Sequence, residues 1–313
     1  MRLKSHFLLL KMGNTQRKIL LGIILVFAFL NFLAWKEVFA LAGPRYLEVT
    51  VFDIGQGDSI FIETPEGHQI LIDGGPGSMV LGKLQQELPI WDRKLDMVIL
   101  THPDADHMMG LLHVLKKYQV DYVVWTGIMR SGAPYQEWLK ILAEHKKQGT
   151  KMVVAKKGQE ITAGQVALQT LNPQEDLSGR EFGSSSNDTS VVLRLDYGKA
   201  SFLLTGDISD KAEEKLVATA SGGVPSEGGK KQANIDTDVL KVAHHGSKYS
   251  TSEIFLGAVT PDIAVISAGR GNSYGHPTQE VLQKLEKFGI RTLRTDQQGN
   301  IKIISDGNNL TIK

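Results

Sequence analysis

Thr101-His102-Pro103-Asp104-Ala105-Asp106-His107 decides how this chain is read. Four potential metal ligands fall within the six residues from His102 to His107. The apolar run Met97-Val98-Ile99-Leu100 precedes them, and Met108-Met109-Gly110-Leu111-Leu112 follows. That order predicts a buried strand, a tight loop, and a helix over about 106–117. A loop at the carboxyl end of a buried strand is where α/β folds place their chemistry. Two imidazoles with two carboxylates suit a divalent ion of borderline hardness, such as zinc or manganese. The competing reading is a polar loop in which Asp104 or Asp106 caps the helix. Capping needs one such residue, whereas this loop carries four ligand types.

Outward from the loop, strands and helices alternate. Leu47, Val49 and Val51 alternate with Glu48 and Thr50, a strand with one buried face. Pro65-Glu66-Gly67 turns a hairpin between 59–63 and 69–72. Helices are predicted over 78–87, 135–147, 209–218 and 278–288. Strands are predicted over 122–125, 151–155, 165–171, 239–243, 263–267, 291–294 and 300–304. Residues 190–195 and 200–204 form a second hairpin. The polar stretch 174–188 reads as a mobile loop, and 221–234 as a disordered surface insertion because it has no apolar period. Several strands end in polar loops, which fits an α+β protein with one site edge.

Composition is that of a globular protein, with 42% apolar and 22% charged residues in 313. There is no cysteine, which excludes disulfides, cysteine-ligated zinc and thiol nucleophiles. Residues 1–35 carry five basic side chains and no acid, leaving 30 basic against 34 acidic residues, a net of −4, in the remainder. No global basic field therefore draws in nucleic acid. Residues 19–35 are apolar except Asn31. At about 1.5 Å rise per residue they cover about 25 Å, the short end of a membrane span. The basic flank predicts a cytoplasmic tail over 1–18 and a domain over 46–313 outside the membrane. An uncleaved signal anchor is one form of this; a signal peptide cut after Ala40-Leu41-Ala42, giving a secreted domain, is the other.

Three more strand ends carry ligand types: Asp207 after Thr205-Gly206, the pair His244-His245, and His276. Each alone has a structural explanation, a cap or a buried imidazole. Together with His102, Asp104, Asp106 and His107 they describe a two-metal site with a bridging carboxylate. Asp53 and Asp73 are read first as turn residues, with orientation of metal-ligating histidines as the alternative. His6, His68, His113 and His145 are left out, as residues of the tail, a turn or helices.

The His102–His107 loop, Thr205-Gly206-Asp207 and His244-His245-Gly246-Ser247 resemble the metallo-β-lactamase fold superfamily. Val51-Phe52-Asp53-Ile54-Gly55-Gln56-Gly57-Asp58, Ile72-Asp73-Gly74-Gly75 and Tyr274-Gly275-His276-Pro277 narrow the likeness to the β-lactamase-like domain of ComEC competence proteins. The resemblance covers 46–313 and implies an αββα sandwich. It departs from the common superfamily pattern at Asp104, where a histidine is usual, and at 184–190, which lacks a further histidine. Asn187 or Asp188 could stand in there. The aspartate hardens the first site, so manganese or magnesium competes better with zinc.

The resemblance implies a metal-dependent hydrolase with two divalent ions, most simply a phosphodiesterase or DNA nuclease of competence. His102 and Asp104 would hold one ion, Asp106, His107 and one of His244 and His245 the other, with Asp207 between. His244 is taken as that ligand, leaving His245, with Asp106 and His276, to catalysis. Ser247 and the Gly269–Gly275 loop, with Asn272 and Tyr274, would contact phosphate. The alternatives are hydrolysis of a lactam, lactone or thioester, and a non-catalytic metal-dependent DNA-capture protein. The partners implied are nucleic acid or another phosphodiester, and the cytoplasmic membrane.

Overall fold

A computed structural model describes residues 13–42, 46–182, 186–221 and 235–313. Most of the predicted basic tail, part of the 174–188 loop and nearly all of the 221–234 insertion lie outside the described residues. The chain divides into two units, Met1–Pro44 and Arg45–Lys313.

The first unit holds α1 (Asn14–Ala42). Its segment Asn14–Trp35 has mean hydropathy 2.2 and is long and apolar enough to cross a membrane. Asn31, the polar interruption, donates its amide to the Phe27 carbonyl one turn back, 3.0 Å away. Its polarity is thus satisfied within the helix. The helix starts five residues ahead of the predicted apolar segment.

The second unit is built of β1 (Leu47–Val51), β2 (Ile60–Glu63), β3 (Gln69–Ile72), α2 (Met79–Glu87), β4 (Lys94–Ile99), α3 (Ala105–Leu115), β5 (Gln119–Trp125), α4 (Ala133–Lys147) and β6 (Lys151–Val154). Next come β7 (Glu160–Ala163), β8 (Val166–Asn172), β9 (Val192–Tyr197), β10 (Ala200–Leu204), α5 (Asp210–Ser221), β11 (Val239–Lys241), α6 (Glu253–Val259), β12 (Ile263–Ile266), α7 (Gln279–Lys287) and β13 (Arg291–Arg294). The short helix α8 (Thr295–Gln298), β14 (Ile301–Ser305) and β15 (Leu310–Ile312) close the chain. One sheet has the order β15-β14-β1-β2-β3-β4-β5-β6, the other β13-β12-β11-β10-β9-β8-β7.

Side-chain alternation explains the layers. In β2, Ile60 and Ile62 point into an apolar core that also takes Leu193, Leu195, Phe202 and Leu204 from the other sheet. Phe61, between them, points the other way, into a second core filled by Val80, Leu84, Leu111 and Trp138 of α2, α3 and α4. Leu203 of β10 does the same on the far side, against Leu216, Phe255, Val281 and Leu285. Two sheets face to face with helices outside make the αββα sandwich.

Topology then fixes the site. β3, β4, β5 and β6 run parallel, as do β10, β11, β12 and β13. Parallel neighbours end on the same edge. Asp73, the 101–107 loop, Gly206-Asp207, His244-His245 and the 267–276 loop all follow such strands.

Four short elements were not anticipated: β7, β15, α6 and α8. Each has seven residues or fewer, and β7 and β15 are partly exposed edge strands. Too few residues remain there to establish a period.

Candidate metal centre

The centre begins with a backbone requirement. Asp73 ends β3 in the left-handed region, φ 56°. That turns its carboxylate back across the end of β4. One oxygen accepts from the Thr101 amide at 2.8 Å and the other from the Thr101 hydroxyl at 2.7 Å. The second oxygen also meets His107 Nδ1 at 2.8 Å. Of the two readings of Asp73, the structure takes the orienting one. Asp53 remains a turn residue, accepting from the Gly55 amide at 3.5 Å.

Helix α3 must approach closely for His107 to arrive. A Cβ on Gly110 would lie 1.8 Å from the Gly74 carbonyl oxygen. Glycine at 110 is therefore what allows the helix to seat against the loop after β3.

The three buried histidines share one pattern. His102 Nδ1 faces the Thr101 hydroxyl at 3.0 Å, and His245 Nδ1 faces the Ser267 carbonyl at 3.0 Å. His107 Nδ1 is held by Asp73, as described. In all three the other nitrogen, Nε2, is buried without a hydrogen-bond partner. Asp207 Oδ1 and Asp58 Oδ1 are buried without one as well. Buried polar atoms rarely stay unpaired. Here they converge: Asp207 Oδ2 lies 3.3 Å from His107 Nε2 and 3.4 Å from His245 Nε2, and Asp106 Oδ2 lies 3.4 Å from His245 Nε2. His102, His107 and Asp207 offer ligand atoms within 4.8 Å of one another, and so do Asp106, His107 and His245. An outer nitrogen anchored by a protein oxygen and an inner one unsatisfied is how metal-binding histidines are held. The donor set fits divalent ions.

The electrostatics agree. Burial alone would discharge His107, but Asp207 and Asp73 outweigh it and hold it well above the usual histidine range. Burial likewise opposes charge on His245, and Asp207 and Asp58 overcome it, raising it well above normal. Burial works to raise Asp207 too, yet His245 and His107 keep it well below the usual carboxylate range. His102 goes the other way, lowered by burial and by His107. The cluster attracts positive charge, which protons supply when no metal does.

Behind His245 sits an ion pair that sequence reasoning missed. Lys241 Nζ lies 2.8 Å from Asp58 Oδ2, with both side chains at most 2% exposed. The other Asp58 oxygen is 3.3 Å from His245 Nδ1. Lys241 sits in the apolar strand Val239–Ala243, where a lone lysine was the available signal. Gly57 makes room for this layer: at φ 131°, its Cβ would fall 2.1 Å from the Asp106 carbonyl.

The histidine pair is arranged differently from expectation. His245 is the member among the acids. His244 is half-buried, with its ring 5.7 Å from that of His276 and the Asn187 amide 3.4 Å from its Nε2. Both residues adopt left-handed backbone angles, φ 51° and 55°. That tight turn sends adjacent rings apart, 6.2 Å between centroids and 70° between planes. Of the pair, His245 and not His244 offers a ligand atom beside Asp106, His107 and Asp207, contrary to the expectation for His244.

Two expected substrate contacts are engaged elsewhere. Ser247 is buried, and its hydroxyl accepts from the Tyr249 amide at 3.4 Å. The Asn272 side chain donates to the Gly269 carbonyl and accepts from the Tyr274 and His276 amides. Both shape their loops. Tyr274 is 68% exposed and stacked near His276 at 5.8 Å. Burial, then His244 and His245, push His276 down to about 4, so its ring is neutral at pH 7. Asp188 accepts from the Ser209 amide at 2.9 Å. Asp104 lies 3.9 Å from His102 Nε2 and is paired with Arg130.

A two-sheet αββα sandwich with a His/Asp cluster on the edge where its parallel strands end defines a metal-dependent hydrolase scaffold. The chain belongs to the metallo-beta-lactamase superfamily, whose sequence profile matches residues 52–270. Among curated relatives, "ComE operon protein 3" of Bacillus subtilis is 33% identical over 278 residues, covering 82% of this chain and 32% of the relative. "Competence protein ComA" of Neisseria gonorrhoeae is 32% identical, covering 81% and 32%. The chain thus spans about a third of the length of these relatives. Among solved structures, the metallo-beta-lactamase fold protein YhfI of Bacillus subtilis matches 83% of this chain and 100% of its own, with TM-score 0.52 and 14% identity. That likeness supports the fold.

Proposed function

We propose that the chain is a two-metal phosphodiesterase acting on nucleic acid, held at the membrane by α1 with its hydrolase domain on the outer side. The observation that carries the metal centre is the convergence of three anchored histidines, each with a buried unpartnered Nε2. The substrate class rests on the competence relatives and on the harder donor set that Asp104 gives. His102, Asp104 and Asp207 would hold one ion; Asp106, His107, His245 and Asp207 the other. Bound divalent ions would supply Lewis acidity toward a water and a phosphoryl oxygen.

The chain's own residues do the rest. Asp73, Thr101 and Ser267 hold the imidazoles by Nδ1, which leaves each Nε2 facing inward. His276, neutral and half-buried beside the cluster, faces the substrate as a hydrogen-bonding group. Tyr274 offers an exposed ring for a base to stack on. The net charge of −4 beyond residue 35 argues against strong nucleic-acid binding without metal.

The test uses the full chain in detergent, loaded with manganese or zinc, with DNA and bis(p-nitrophenyl) phosphate as substrates. Cleavage should require the ion and vanish in Asp106→Ala. Undiminished cleavage in that variant, from clean protein, sinks the proposal. Turnover of a lactam, lactone or thioester in place of the diester would move the assignment to that class.

A further inference from the structure

The two sides of the metal centre are not alike. Among the described residues, the ion pairs of Asp106 and Asp207 are to His107 and His245 alone. Asp104, on the His102 side, is instead engaged by a fixed cation. Arg130 Nη1 pairs with Asp104 Oδ1 and also donates to the Pro103 carbonyl at 3.3 Å and the Ser186 hydroxyl at 3.1 Å. The Ser186 hydroxyl donates to the same Asp104 oxygen at 2.6 Å. The other oxygen, Oδ2, stops 3.9 Å short of His102 Nε2. The carboxylate that would complete the His102 side is thus held by a guanidinium.

That guanidinium can reach solvent. The Arg130 and Asp104 side chains are 20% and 26% exposed, and both line a cleft of about 370 Å³. Asp106 and Tyr274 line the same cleft, so it opens beside the metal centre. Arginine does not lose its proton, and its planar fork matches phosphate oxygens as well as carboxylate. Its anion in the structure is Asp104, and a phosphate ester entering the cleft would offer a second of matching geometry.

We infer that Arg130 is an anion site coupled to the second metal. Without substrate it holds Asp104 and keeps the His102 side weak. A phosphate ester in the cleft takes the guanidinium and releases Asp104 to the second ion. The ligand class rests on the phosphodiesterase reading; the asymmetry of the two metal sites does not. Because coupling is reciprocal, the second ion tightens phosphate by the factor by which phosphate tightens the ion.

The experiment titrates manganese alone into the full chain in detergent, following free ion by electron paramagnetic resonance, with and without thymidine 5′-monophosphate. Wild type should bind one ion tightly and a second about 10-fold or more weakly, and the nucleotide should tighten the second by about 5-fold or more, within the usual range of coupling energies. Arg130→Gln should bind the second ion tightly from the start, with no response to the nucleotide. Arg130→Lys, charged but without the fork, should keep the weak second site and respond less. Two equal sites in wild type, or a nucleotide effect that survives in Arg130→Gln, overturns the inference, and the wild-type titration decides even if Arg130→Gln misfolds. No manganese binding at all sinks the metal centre and this inference with it. Two unequal, nucleotide-linked sites without diester cleavage would sink the catalytic reading and leave the coupling standing.

Discussion

Replacing Lys241 by methionine should destabilise the protein strongly, and removing its partner as well should restore much of the loss. At 2.8 Å between Nζ and Asp58 Oδ2, the pair attraction is about 6 kcal/mol at an effective dielectric of about 20. Desolvation of two fully buried charges consumes most of that, so the intact pair adds little net stability. Breaking it is different, because Asp58 is left charged and buried with His245, and more weakly His107, as its remaining positive neighbours, and such losses run to about 3–5 kcal/mol. In Lys241→Met/Asp58→Asn neither half of the pair is left as an unpaired charge, and about 2 kcal/mol or more should return. The sign with pH is also fixed. In the native protein Asp58 sits below the usual carboxylate range, with burial opposed and overcome by Lys241 and His245. Its contribution is present above the unfolded carboxylate pKa and is lost as pH falls through the native one. Without Lys241 burial is less opposed, so Asp58 should take up a proton more readily than in the native protein and the variant's deficit should shrink as pH falls from 7 to 5. Urea unfolding of metal-free full chain in detergent, followed by tryptophan fluorescence at both pH values, measures this. A Lys241→Met loss under about 1 kcal/mol, or losses in the double variant that simply add, would refute the account.

Three further outcomes follow from the same geometry. Asp73→Asn keeps the shape but weakens the hold on His107 Nδ1, and manganese affinity by titration should fall about 10- to 100-fold with the fold intact by circular dichroism. In metal-free protein, His107 and His245 are raised by Asp207 and their other carboxylates against the opposing effect of burial; this stability is present below the unfolded histidine pKa and lost as pH climbs through the native values. Saturating manganese should accordingly raise the melting temperature more at pH 8 than at pH 5.5, and an equal shift at both would contradict the charge account. Gly110→Ala sets a Cβ 1.8 Å from the Gly74 carbonyl, and forcing α3 outward should cost about 1–3 kcal/mol and weaken manganese binding, both readable by thermal melts with and without ion.

Residue type was legible in the sequence where spacing was short, and direction was not. His102, Asp104, Asp106 and His107 stood out as candidate ligands because four potential donors in one loop exceed what a cap requires. Strand ends repeating polar loops pointed to an α+β protein with one site edge, because parallel strands end on one edge; the αββα order came from the resemblance to the metallo-β-lactamase fold superfamily. Choosing between His244 and His245 needed a backbone angle, φ 51° and 55° at successive residues, that no local pattern encodes. Lys241, Asp58 and Arg130 were invisible as a set for another reason. Asp58 and Lys241 lie 183 residues apart and pair only after the two sheets have packed, while Arg130 and Asp104 lie 26 residues apart and meet through the loops after neighbouring strands β5 and β4. Asn272 and Ser247 were legible as polar loop residues, but a polar side chain in a glycine-rich loop must first satisfy the loop's own amides. In this chain both do so.

The fold orders the three histidines before any ion is bound. Each imidazole is fixed from outside by an oxygen of a different segment: Asp73 after β3, Thr101 after β4, Ser267 after β12. Side-chain freedom is thus removed before any ion arrives, and the entropy of ordering the ligands is part of folding. The cost appears as buried carboxylates facing one another around Asp207, tolerable only when positive charge sits among them. Protons on His107 and His245 meet that need at low pH, and the Lys241 ion pair meets it one layer back. A divalent ion competes with those protons but not with Lys241, whose charge lies on the far side of Asp58 from the inner nitrogens. Lys241 therefore compensates Asp58 whether or not the site is loaded. That leaves Asp106, Asp207 and the three inner nitrogens free to answer to the metal alone.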